Sequence, residues 1–159
     1  MRRNVKIGLI AVSIVAVAGF VWWIRPPSFL PMQRPEDFTI QWVEGGGMDP
    51  EGSQATVTEG ASRRVYDEFN SGVYTESMVD FQVSAEEMDA LYAMMKREAF
   101  DTIRETNVEY YDGDNASVTI SWGEQDYRVS GMQVRDLDAG RYRKVYKAIA
   151  DFLAAKTSP

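Results

Sequence analysis

The chain has 159 residues, with 17 Lys+Arg against 24 Asp+Glu, no His and no Cys. Without His or Cys there is no Ser-His-Asp or Cys-His catalysis, no zinc site of the usual ligands, no covalent haem attachment and no histidine pH switch. Three basic residues and no acid precede residue 25, which leaves 14 basic against 24 acidic residues beyond it, a net −10 that repels nucleic acid and makes it an unexpected partner.

The first predicted element is a membrane span. Arg2, Arg3 and Lys6 open the chain, and Val5 to Ile24 is apolar apart from Lys6, with Trp22-Trp23 at its far end and Arg25-Pro26-Pro27 stopping it. About 20 helical residues at about 1.5 Å each cross a hydrocarbon core of about 30 Å, and indole rings settle at the lipid interface. A cleaved signal peptide has similar parts, including a small-residue pattern at Ala16-Val17-Ala18. The apolar run outlasts what a signal needs, so an uncleaved anchor retaining Met1 is expected. Arg2-Arg3 lacks the residues that surround a twin-arginine export signal. The charge bias predicts a single-pass protein of the inner membrane, with the N-terminus cytoplasmic and residues 25–159 periplasmic or otherwise extracytoplasmic. Gly8, Ala11, Val15 and then Ala18 or Gly19 form a stripe of small residues that would let another helix approach.

Residues 25–37 contain Pro26, Pro27, Pro31 and Pro35 and predict a semi-rigid extended spacer. Phe29, Leu30 and Met32 are apolar within it, so they are expected to be buried against something, here assigned to partner docking. From residue 38 the pattern predicts one α+β domain. Phe38, Ile40 and Trp42 alternate as a strand, Glu44-Gly45-Gly46-Gly47 breaks it, and further strands fit Gln54 to Thr58, Arg63 to Phe69 and Val73 to Val83, with a turn at Asn70-Ser71-Gly72. Ser84 with Glu87 matches a capping box before a helix that places Met88, Leu91, Tyr92, Met95, Ala99 and Phe100 on one face. Val108 to Tyr111 is expected to pair with Ser117 to Trp122 across Asp112-Gly113, and Asp126 to Ser130 follows a turn at Gly123-Glu124. A last helix, Ala139 to Ala155, carries Tyr142, Val145, Tyr146, Ile149, Phe152 and Leu153. Strands, helix, strands and helix predict a mostly antiparallel sheet with two amphipathic helices on one face.

Residues 38–154 resemble the emfourin-type bacterial domains, small inhibitors of thermolysin-like metalloproteases. The likeness rests on Gly45-Gly46-Gly47 after the first strand, the Ser84-to-Glu87 helix start, the Asp112-Gly113 hairpin and the final amphipathic helix. It implies an α+β fold. The anchor and the Pro-rich spacer depart from that plan, and no inhibitory residue is carried over.

The candidate sites are few. Asp112, Asp114 and Asn115 lack the ligand spacing and the twelfth-position acid of a calcium loop. Gly45-Gly46-Gly47 has no following Lys-Ser/Thr and reads as a flexible loop rather than a phosphate cradle. Glu36, Asp37, Glu44, Asp49, Glu51, Asp80, Glu86 and Glu87 read as a solvated face rather than a catalytic carboxylate pair. Met88, Met94 and Met95 read as core. Arg141, Arg143, Lys144 and Lys147 form a basic group on the last helix that could meet an acidic partner or headgroups, or be offset by Asp136 and Asp138. No catalytic residue, metal or cofactor is assigned. The expected function is a non-catalytic structural or accessory subunit of a larger membrane complex, of respiratory or photosynthetic type. Its partners would be other membrane subunits and the bilayer. The alternative is an autonomous membrane-tethered binding module, such as a protease inhibitor or envelope ligand-binder.

Overall fold

A computed structural model describes residues 27–45, 52–70, 73–106 and 116–157. The expected span with its stripe at Gly8, Ala11, Val15, Ala18 and Gly19, the pair Trp22-Trp23, Gly46-Gly47 and the strand at Val108 to Tyr111 lie outside the described residues. Among the described residues no helix is long and apolar enough to cross a membrane.

The domain is α+β. Six strands, β1 (Thr39–Gly45), β2 (Gly52–Val57), β3 (Gly60–Asn70), β4 (Val73–Val83), β5 (Ser117–Trp122) and β6 (Gln125–Ser130), form one sheet in the order β4-β3-β2-β1-β5-β6. Every neighbouring pair is antiparallel. Alternation sets the faces. Ile40 and Trp42 on β1 stand level with Val57 and Ala55 on β2 and with Ile120 and Val118 on β5, and all six are buried. Phe81, Val83 and Val129 continue that inner face onto β4 and β6. The β5–β6 turn is two residues long, and Gly123 takes φ +55° there, a conformation that costs a Cβ-bearing residue energy.

Helix α1 (Ala85–Arg97) starts as its sequence dictates. The Glu87 backbone N–H donates to Ser84 Oγ, and the Ser84 N–H donates to the Glu87 carboxylate, which satisfies two otherwise orphaned groups. Met88, Leu91, Tyr92 and Met95 are buried. The expected face continued through Phe100, but the helix ends at Arg97. Ala99 adopts φ +48°, and a single 3₁₀ turn from Phe100 to Thr102 carries Phe100 into the core. Helix α2 (Asp136–Thr157) begins earlier than the spacing predicted, with Asp136 and Asp138 in the first turn, where carboxylates favour a helix N-terminus. Tyr142, Val145, Ile149 and Leu153 face inward and join the residues of α1 and the inner sheet face in one core.

The Pro-rich segment does not stand clear as a spacer. Ser28 Oγ donates to Asp101 at 2.7 Å, and the Phe29 N–H donates to the same carboxylate. Tyr92 Oη and Lys96 Nζ both donate to the Pro31 carbonyl, at 2.7 and 2.6 Å. Arg34 pairs with Asp89 and Glu59 at 2.6 Å each. Those two carboxylates, Asp89 first, hold the Arg34 guanidinium above its ordinary value despite its desolvation. Leu30 is buried in the domain's own core. Its assignment to partner docking is therefore corrected: the apolar surface that covers it comes from the same chain.

Candidate functional site

Among the described residues the β3–β4 hairpin is longer than the strands beside it. Its strands pair from Gly60↔Val83 to Asn70↔Val73, whereas β2 covers β3 only between Arg63 and Asp67. Successive residues on one face are two apart, which divides the hairpin into ladder rungs. On the face away from the helices these rungs are Arg63↔Asp80, Val65↔Met78, Asp67↔Glu76 and Phe69↔Tyr74. Arg63 and Asp80 pair at 2.7 Å, and the guanidinium holds the Asp80 carboxyl below its ordinary value. The rings of Phe69 and Tyr74 pack at a tilt of 52° with centroids 4.8 Å apart, yet Tyr74 is 69% exposed. Met78 is 58% exposed and Val73, at the end of the hairpin, 61%.

Between the two apolar rungs lies a like-charged one. Asp67 and Glu76 are directly opposite, and on the sheet side their row continues only as Gly52 and Gly45. The glycines supply no side chain to shield or neutralise the acids. Among the described residues neither acid has an ion-pair partner. Like charges directly across a ladder destabilise it. The outer face thus reads, from the hairpin end inward, as aromatic, acidic, apolar, ion-paired.

A cleft of about 580 Å³ beside the hairpin is lined by Arg64, Tyr66, Glu68 and Tyr146 and also reaches Asp67, Gly45 and Gly52. Arg64 is held by the fold. Its Nε donates to Ser53 Oγ at 2.8 Å, its Nη1 donates to Thr157 Oγ1 at 3.2 Å, and its guanidinium lies 4.5 Å from the Tyr66 ring and 5.3 Å from that of Trp42. Such a restrained cation ties α2 to the sheet rather than waiting for an anion. Among the described residues no group of His, Cys, Asp or Glu could hold a metal ion.

The four basic residues expected on one helix face separate by role. Arg141 is turned inward. It pairs with Asp138, and its Nη1 donates at 3.0 Å to the Glu98 and Ala99 carbonyls and to Thr102 Oγ1, which locks α2 onto the end of α1. Arg141 is therefore corrected from a docking residue to a structural one. Lys144 lies 3.8 Å from Glu98, and Lys147 pairs with Asp151 at 2.8 Å. Arg143 is exposed. Of the expected spacer contacts, Phe29 and Met32 are 75% and 94% exposed, on the same segment whose Leu30 is buried. The hairpin residues Asp67, Phe69, Tyr74, Glu76 and Met78 were not singled out from the sequence. The signal was present: with Asn70 paired to Val73 the register puts Phe69 opposite Tyr74 and Asp67 opposite Glu76.

No protein-family model matches the chain, and no curated protein matches it. The likeness to emfourin-type domains stays one of pattern.

Proposed function

We propose that this chain is a non-catalytic accessory subunit of a larger membrane assembly. A single helix at Val5–Ile24 holds it in the bilayer, with the N-terminus cytoplasmic and the domain outside. The observation that carries the protein-contact reading is the outer hairpin face, where Phe69, Tyr74 and Met78 are apolar and open to water on an edge of the sheet. Exposed apolar groups gathered on one edge mark contact sites more often than bare surface. The tether geometry supports the same reading. With the span ending at Ile24 and Ser28 fixed to Asp101, the intervening chain reaches at most about 14 Å. Ile103 just beyond accepts from Tyr127 on β6, so the corner near β6 is kept close to the lipid and β4 occupies the opposite edge of the sheet.

Leu30 favours a second reading. Of the three apolar residues expected to need a partner, Leu30 is covered by its own domain, as an autonomous tethered binding module would have it, while Phe29 and Met32 stay exposed. Native gel electrophoresis of mild-detergent extracts, with mass spectrometry of the band, separates the two. A subunit migrates with a large assembly; migration of the wild type as a monomer would overturn the subunit reading and leave the tethered module.

A further inference from the structure

We infer that the length of β4 from Val73 to Val79 takes up an extended partner segment with the pattern apolar-x-basic-x-apolar. The inference rests on the protein-contact reading above and names the chemistry of the partner. Among the described residues β4 is an edge strand bonded to β3 alone, so its outward backbone groups form a ladder open to another strand. The inner end of that edge is closed: Lys156 Nζ donates to the Gln82 carbonyl at 3.0 Å, and Arg63 is engaged with Asp80. Toward the hairpin end among the described residues nothing comparable guards it. Lysine on an edge is a common protection against unwanted pairing, and here the outer-facing charge on the unguarded stretch is Glu76.

The outer-face pattern selects the occupant. Residues on one face of a strand recur about every 7 Å, so a segment laid along β4 sets its alternate side chains beside Tyr74, Glu76 and Met78 in turn. Two apolar side chains would cover Tyr74 and Met78. The middle one must meet Glu76 and, one strand further in, Asp67. An acidic or apolar side chain there leaves two like charges in contact and strips water from them, whereas Lys or Arg neutralises the pair. Gly52 and Gly45, which continue that row, carry no side chain that could pair with Asp67 in place of the partner's basic group. A domain whose charge is net negative adds long-range attraction for such a partner.

The test uses the full chain in neutral-lipid nanodiscs and three short labelled peptides that differ only at the central residue: Leu-Thr-Arg-Thr-Leu, Leu-Thr-Gln-Thr-Leu and Leu-Thr-Glu-Thr-Leu, each flanked by Thr. Fluorescence anisotropy is expected to show the Arg peptide binding, the Gln peptide about fivefold weaker and the Glu peptide weaker still, with the Arg advantage shrinking in salt. Glu76→Gln should remove most of the preference for Arg. Because that change also relieves the repulsion from Asp67, its unfolding midpoint should equal or exceed that of the wild type, so loss of preference cannot be laid to misfolding. Equal binding of the three peptides overturns the inference, as does no binding of any up to about 1 mM or an Arg preference that survives Glu76→Gln. A native gel run alongside keeps the two readings apart. A large assembly with failed peptides sinks only this inference; a monomeric wild type with discriminating peptides sinks only the subunit reading.

Discussion

Replacing Leu30 by Ala measures directly whether the Pro-rich segment belongs to the domain. Leu30 is 4% exposed and sits in the main core, so the change removes buried side-chain carbons and leaves a void. Leu-to-Ala substitutions in cores cost about 2–5 kcal/mol. Leu30 lies at the margin of the core on a segment that can settle slightly, which argues for the lower part, about 3 kcal/mol. For a domain of this size 1 kcal/mol moves the thermal midpoint by about 4 °C, so a fall of roughly 10 °C is expected. Phe29→Ala and Met32→Ala, at 75% and 94% exposure, should each stay within about 0.5 kcal/mol of the wild type. The assay is thermal and urea unfolding of residues 25–159, followed by the fluorescence of Trp42 and Trp122. The contrast among three neighbours makes the test sharp. If Leu30→Ala costs no more than Met32→Ala, the segment does not pack as described. If Phe29→Ala costs as much as Leu30→Ala, the assignment of inward and outward side chains is wrong.

Gly131→Ala should destabilise the domain by about 1–3 kcal/mol, because an added Cβ would stand 2.7 Å from Tyr142 Cε1 and 3.1 Å from the Ala116 carbonyl oxygen; Gly140→Ala, with open space around it, serves as the harmless control in the same denaturant series. Stability should be level from about pH 6 to 8, since the chain has no His. At lower pH it should fall. Lys156, then the Ser84 N–H, hold Glu87 below its ordinary 4.5, and a depressed carboxyl contributes stability above its unfolded value that is lost as pH drops through the folded one. Burial raises Tyr142 above its ordinary 10.0, so stability should fall again as pH climbs beyond 10 and the unfolded phenol ionises first. A step in the unfolding midpoint between pH 6 and 8 would show a further titrating group coupled to folding.

Local patterns carried most of the fold. Ser84 and Glu87 marked the start of α1 because a cap is chemistry within four residues, and the turn residues at Gly123 placed the β5–β6 hairpin for the same reason. Period-two alternation picked the buried residues of β1 correctly. Alternation along β4 places Val73, Thr75 and Val79 on the same side as Phe81 and Val83, yet only the last two are buried. Among the described residues the hairpin is longer than the strands beside it, and no pattern within a strand records how long its neighbours are. The end of α1 was missed because Ala99 takes a left-handed conformation that sequence reserves for Gly or Asn. Arg141 was misjudged for a different reason. Basic residues on a helix read as surface, and only the approach of the α1 end gives its guanidinium three acceptors to enter for. Leu30 was legible as apolar and not as to whose apolar surface it meets.

The sheet order has a consequence for how the chain is assembled in time. β2, β3 and β4 follow β1 closely in the chain and can zip onto it as soon as they are made, and β5 with β6 forms a second hairpin on its own. The two halves join only where β1 meets β5, as in the pairing of Trp42 with Val118. Closing so long a loop is slow compared with forming either hairpin. During synthesis the apolar β1 therefore waits with one edge unpaired until β5 arrives. A chain stopped before residue 117 would keep that edge open permanently, and such truncations should aggregate through β1 rather than remain as a smaller folded unit.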